Sequence, residues 1–79
     1  MKSVVDTRFR KAFRRLPVSI RKQARQAYRF FMDDPYHPSL HFKRVGRDLP
    51  IYSARVTLDY RVLGIRDGDT IIFLDWRAR

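Results

Sequence analysis

The sequence predicts an α+β fold, an N-terminal two-helix hairpin packed on a curved four-stranded antiparallel sheet. Two patterns carry that expectation. Apolar side chains recur at helical spacing up to Met32, and from Ile51 onward they alternate between short runs separated by turn residues. At 79 residues the chain has room for a single domain spanning 1–79, which excludes multi-domain enzymes and dinucleotide-binding folds.

Each element has a local reason. Lys2–Val5 reads as a short strand. Asp6 or Thr7 caps a first helix, whose apolar stripe is Phe9, Phe13 and Leu16 and which Pro17 breaks. A second helix runs from Val18 to Met32 with the stripe Ile20, Ala24, Ala27, Tyr28 and Phe31, and Asp33-Asp34-Pro35 stops it. Residues 36–40 read as an extended linker. Strands follow at His41–Val45, Ile51–Thr57, Tyr60–Arg66 and Thr70–Asp75. Gly46–Pro50 forms a loop, and Asp67-Gly68 a two-residue hairpin turn. In the second of these strands Tyr52, Ala54 and Val56 share one face, and Ser53, Arg55 and Thr57 the other.

Composition narrows the chemistry. No cysteine is present, which removes disulfides, thiolate catalysis and Cys-ligated metals. No apolar run approaches the ~18 residues of a membrane span, and the N-terminus lacks the apolar segment of a signal peptide. A cytoplasmic protein without cofactor or metal is therefore expected. His37 and His41, with Asp33 and Asp34 near, could collect a cation, but Pro38 breaks the helical spacing of a metal pair. His37 reads better as a packed linker side chain. Tyr52 and Tyr60 read either as acid–base groups or as core and rim residues.

The charge is strong and uneven. Eighteen basic side chains face eight acidic ones, a net charge of +10, and fourteen of the bases are Arg. Residues 1–29 hold ten bases and one acid, Asp6. Arg21, Arg25 and Arg29 stack along one helix edge, as do Arg10 with Arg14 and Lys11 with Arg15. Each like pair at i, i+4 costs roughly 0.2–0.5 kcal/mol. Two readings follow, a solvated face or a surface for a polyanion or an acidic partner. Arg10, Lys11, Arg14, Arg21, Arg25 and Arg29, with Lys43 and Arg44 beyond the helices, are the candidate binding residues, and the charge does not choose between RNA, DNA and an acidic peptide.

Arg55 and Arg61 flank the turn Thr57-Leu58-Asp59. A three-residue loop sets Arg55 opposite Arg61 on one face, whereas a two-residue loop sends them to opposite faces. Facing arginines repel unless an anion lies between them. The alternative is pairing with Asp59, Asp48 or Asp75.

Phe13-Arg14-Arg15-Leu16-Pro17, then Asp34-Pro35-Tyr36-His37-Pro38-Ser39-Leu40-His41-Phe42-Lys43, then Tyr52-Ser53-Ala54-Arg55-Val56 and Asp59-Tyr60-Arg61-Val62-Leu63 together resemble the RelE/ParE superfamily of bacterial type II toxins. The resemblance spans roughly Phe9 to Leu74 and implies the helical hairpin on an antiparallel sheet. It also implies a cognate antitoxin that covers the basic surface. RelE-like members cleave mRNA in the ribosomal A site by attack of the message's own 2′-hydroxyl, and ParE-like members act on DNA gyrase. Carried over, Arg61 matches the arginine that holds the scissile phosphate, and Arg55 matches a basic residue that assists it, so these two are the candidate catalytic residues. In many relatives a C-terminal Ile-Gly-x-His and a following Tyr supply proton transfer. Here Trp76 is followed by Arg77-Ala78-Arg79, which can supply charge but not readily a base, because arginine holds its proton. A ribosome-dependent mRNA endoribonuclease is the first reading. A toxin-fold module that binds antitoxin, RNA or gyrase without cutting, and a general nucleic-acid-binding protein, stand beside it.

Overall fold

The computed structural model describes residues 1–78, so Arg79 lies outside the described residues. The elements in chain order are β1 (Lys2–Val5), α1 (Thr7–Arg15), α2 (Val18–Asp33), a 3-10 turn (Pro38–Leu40), β2 (Lys43–Arg44), β3 (Ile51–Arg55), β4 (Tyr60–Asp67) and β5 (Thr70–Ala78).

Both helices begin and end where local chemistry dictates. The Asp6 carboxylate accepts the Arg8 amide at 2.7 Å and caps α1. Arg14 and Arg15 occupy its last turn, where a positive charge opposes the helix dipole. Pro17 then restarts the chain as α2, and its carbonyl accepts the Arg21 amide at 3.0 Å. Pro35 lacks an amide hydrogen to continue α2, which closes at Asp34.

The sheet has five strands in the order β1-β5-β4-β3-β2, one more than the four expected. The addition is β1, which runs parallel to β5 with Val4 opposite Ile72 and Val5 opposite Phe73. Without it, β5 would present an open edge of unpaired backbone groups, and the β-branched Val4-Val5 segment satisfies that edge. The other pairs are antiparallel, as the alternation predicts. Strand β2 is only two residues long because His41 adopts a left-handed conformation, φ 46° and ψ 43°, that breaks the extended run. The linker before it is not extended but closes the 3-10 turn.

Both helices pack on one face of the sheet. Phe9 stacks on Trp76 at 4.7 Å and on Phe73 at 5.8 Å. Phe31 meets Phe73 edge-on at 5.4 Å and Phe42 at 5.3 Å. Leu40, Ala54, Val62 and Ile71 complete the buried cluster, Ile71 with no exposed surface at all. Tyr28, expected in the α2 stripe, is half exposed, and its hydroxyl lies 2.7 Å from Ser3 Oγ on β1.

An irregularity in β5 sets these faces. Gly64 pairs with Phe73 but Leu63 pairs with Asp75, so Leu74 is the extra residue of a β-bulge. Strict alternation would put Phe73 and Trp76 on opposite faces. The bulge brings both rings under α1, and it sends Arg77 to the uncovered side.

Two stability outcomes follow. Phe31→Ala lowers the unfolding free energy by about 3–5 kcal/mol, enough to leave a domain this small largely unfolded in a urea titration. Ser53 is buried, and its Oγ has no hydrogen-bond partner among the described residues. Ser53→Ala is therefore expected to stabilise by about 1 kcal/mol, read as a rise in the thermal midpoint.

Candidate functional site

Register determines where the strand arginines sit. The turn between β3 and β4 is the three-residue alternative, with the Tyr60 carbonyl accepting the Val56 amide at 3.0 Å. Arg55 consequently stands directly opposite Arg61. On the other side of β4, Arg61 stands opposite Arg77. Three guanidinium-bearing residues thus form one row across β3, β4 and β5. Adjacent members have Cβ atoms about 4.5–5.5 Å apart. Ala54, Val62 and Trp76 form the neighbouring row and face the helices, so Arg61 and Arg77 lie on the opposite face, while Arg55, at the edge of the row, also reaches the helix side.

The row is not neutralised from within. Among the described residues the ion pairs are Met1 with Asp69 at 4.0 Å and Arg8 with Asp6 at 3.5 Å. Neither involves Arg55, Arg61 or Arg77. The Asp75 carboxylate, a candidate partner by position, accepts the Trp76 amide at 2.8 Å. Arg55 instead donates from Nη1 to His41 Nε2 at 3.5 Å. Three cations in one row, with no ion pair among the described residues, have the chemistry to receive an anion, and a phosphodiester offers two oxygens for forked contacts.

The helix arginines gather elsewhere. Arg10 and Arg14 of α1 and Arg21, Arg25 and Arg29 of α2 line a cleft of about 650 Å³ between the helices. Its floor and walls are apolar and include Phe13, Ala24, Val56 and Trp76. Arg25 lies over the Phe13 ring at 5.3 Å. Arg21 Nε is buried and has no hydrogen-bond partner among the described residues. Arg55 borders this cleft too, at the edge where β2 has ended.

The remaining expected contacts are scattered. Lys11 is exposed on α1, and Lys43 is exposed opposite Ser53. Arg44 turns back on its own loop, donating to the Gly46 carbonyl at 3.0 Å and to that of Arg47 at 3.5 Å. His37 stacks on Phe30 at 4.5 Å and accepts the Ser39 amide at Nδ1, 3.2 Å away. That nitrogen is occupied by the turn, and the ring is the packed linker side chain expected. Tyr52 and Tyr60 share the face of Ala54 and Val62, away from the arginine row, and Tyr52 stacks on Phe42 at 5.0 Å.

One basic residue escaped the sequence reading. Arg66 donates to the Tyr36 hydroxyl at 3.0 Å and lies over the Tyr52 ring at 5.4 Å. Tyr36 first, and Tyr52 second, push its pKa above the ordinary guanidinium value, so it stays charged. No sequence signal marks it, because Tyr36 and Tyr52 lie in two segments distant from it in the chain.

The geometry can now be set against known proteins. A family model described as a ParE-like toxin domain matches residues 18–76. No curated protein matches the sequence. The fold is similar to a chain of the archaeal RelE–RelB complex from Pyrococcus horikoshii, with a TM-score of 0.72, 23% identity and coverage of 99% of this chain and 93% of that one. It is similar to a chain of the RelB–RelE antitoxin–toxin complex from Methanococcus jannaschii, with a TM-score of 0.79, 23% identity and coverage of 96% and 89%. The YoeB/ParE toxin from Agrobacterium tumefaciens gives a TM-score of 0.74 at 15% identity, covering 100% and 99%. No helix among the described residues is long and apolar enough to cross a membrane. With the family model spanning most of the sequence and the whole fold shared with these toxins, the chain belongs to the ParE-like toxin domain family of the RelE/ParE superfamily.

Proposed function

We propose that this chain is the toxin of a type II toxin–antitoxin pair and acts in the cytoplasm as a ribosome-dependent mRNA endoribonuclease. The observation that carries the reading is the row Arg55–Arg61–Arg77, three cations in register with no ion pair among the described residues. In 2′-hydroxyl attack the scissile phosphate gains negative charge as the fifth oxygen bonds to phosphorus. Fixed guanidinium groups already in place stabilise that gain more than they stabilise the ground state. Arg61, at the centre of the row, takes the phosphate, and Arg55 and Arg77 flank it. The 2′-oxygen bonds to phosphorus, the bond to the 5′-oxygen breaks, and the products are a 2′,3′-cyclic phosphate and a 5′-hydroxyl. The proton leaves the 2′-oxygen and one is returned to the 5′-oxygen.

The cleft supports the antitoxin half of the proposal. An apolar trough rimmed by five arginines, one with a buried unpartnered Nε, suits an amphipathic segment with acidic side chains. Two of the similar structures are complexes of RelE with RelB. Lys11, Lys43 and the outer faces of the helices are the proposed contacts with ribosomal RNA. A second reading, gyrase as the target, draws on the ParE-like description of the matching family.

Mapping mRNA 5′ ends in bacteria expressing the chain tests the first reading. Codon-positioned cuts that require translation support it. Intact messages together with trapped gyrase–DNA complexes favour the second. Arg61→Ala is expected to lower single-turnover cleavage about 10²–10³-fold while leaving antitoxin binding intact. For binding to single-stranded RNA, each of Arg55→Gln, Arg61→Gln and Arg77→Gln should reduce the slope of log K against log salt by about 0.7. An unchanged slope for all three would remove the row from the RNA interface.

A further inference from the structure

We propose that His41 is the general base of this site, an assignment that rests on the cleavage reading above. His41 caps the 3-10 turn two residues before β2 begins, and Arg55 Nη1 reaches its Nε2 at 3.5 Å. The imidazole therefore lies beside the Arg55 end of the row.

The chemistry of the contact selects the role. A guanidinium has only donors, so Nε2 presents its lone pair to Arg55 and the ring proton sits on Nδ1. A base must present a lone pair at the site, and this tautomer does so. Arg55 is shared between two acceptors, the imidazole and an incoming phosphate. As the phosphate draws the Arg55 donors toward Arg61, Nε2 is released beside the nucleotide that has been bound. The imidazole then takes the 2′-hydroxyl proton, the 2′-oxygen forms its bond to phosphorus, and the bond to the 5′-oxygen breaks. The departing oxygen takes a proton from water, and the imidazolium returns its proton to solvent.

Backbone and competitors point the same way. His41 is the only non-glycine described residue with a positive φ, and its amide is held by the Pro38 carbonyl at 3.3 Å. A side chain kept in a disfavoured conformation is held there by its surroundings. The ring is exposed and therefore within reach of substrate. Tyr52 and Tyr60 lie on the other face of the sheet, and His37 Nδ1 is tied to Ser39. Arginine itself does not give up its proton.

The test is single-turnover cleavage of ribosome-bound mRNA by the full chain. His41→Asn keeps a residue that tolerates the left-handed conformation and removes the base. It is expected to lower kcat about 10²–10⁴-fold with KM unchanged. His41→Gly leaves room for added imidazole, which should recover at least a tenth of the loss. In the wild type, ring-nitrogen NMR should report the Nδ1–H tautomer, and adding an uncleavable 2′-O-methyl RNA should shift Nε2. Full cleavage by His41→Asn, with Arg61→Ala inactive, overturns the base assignment and leaves the cleavage reading standing. A wild-type chain that binds RNA and cuts none overturns the cleavage reading, and the base assignment falls with it. A loss in His41→Asn that appears in KM, with no imidazole rescue, marks His41 as a binding residue and overturns the assignment.

Discussion

The Thr57 hydroxyl accepts the amides of Asp59 at 3.2 Å and Tyr60 at 3.1 Å, and these two bonds hold the β3–β4 turn at three residues. The rest of the site depends on that closure. A turn shorter by one residue would slide β4 along β3 and reverse every side chain on it. Val62 would then leave the core and Arg61 would enter it. Because the core cannot accept a guanidinium without a partner, burial of Val62 and exposure of Arg61 enforce the same register. The packing that folds the sheet and the alignment that sets the arginines in one row are thus one constraint.

The bulge at Leu74 plays the matching part on the other side of β4. Trp76 reaches Phe9 through ring stacking and donates from its indole nitrogen to the Phe9 carbonyl at 3.3 Å, which fixes the end of β5 beneath α1. Arg77 is aimed outward as a result. The free protein holds its cations together at an electrostatic cost, both in the strand row and around the helix cleft. Sequence chemistry offers no relief, since seven of the eight acids lie beyond residue 29. An anionic occupant in either place removes repulsion as well as adding contacts, so binding and stabilisation are coupled.

Much of this fold is legible in the residues. The Phe9–Phe13 spacing, Pro17 and Asp34-Pro35 determine α1 and α2 nearly to the residue, because capping and amphipathicity act over a few positions. Asp67-Gly68 marks the β4–β5 hairpin for the same reason, and Gly68 takes a φ of 59° there. The features that were not legible depend on distant partners. β1 pairs with a strand about seventy residues later in the chain. The Leu74 bulge arises where Phe73 and Trp76 both seek α1. At the site, sequence reasoning left the register of Arg55 and Arg61 open between two loops, and only the closed turn decides between them. His41 was legible only as a possible cation ligand, since its backbone kink and its contact fourteen residues away leave no mark in the sequence.

Strand β5 lies inside the sheet, with β1 on one flank and β4 on the other. It is also the last element of the described chain to be made during synthesis. Until residues 70–78 emerge from the exit tunnel, β1 has no neighbour, Phe9 has no indole to rest on, and Arg61 lacks one of its two flanking cations. Folding of the sheet therefore waits for β5, and a copy truncated before it carries no assembled row.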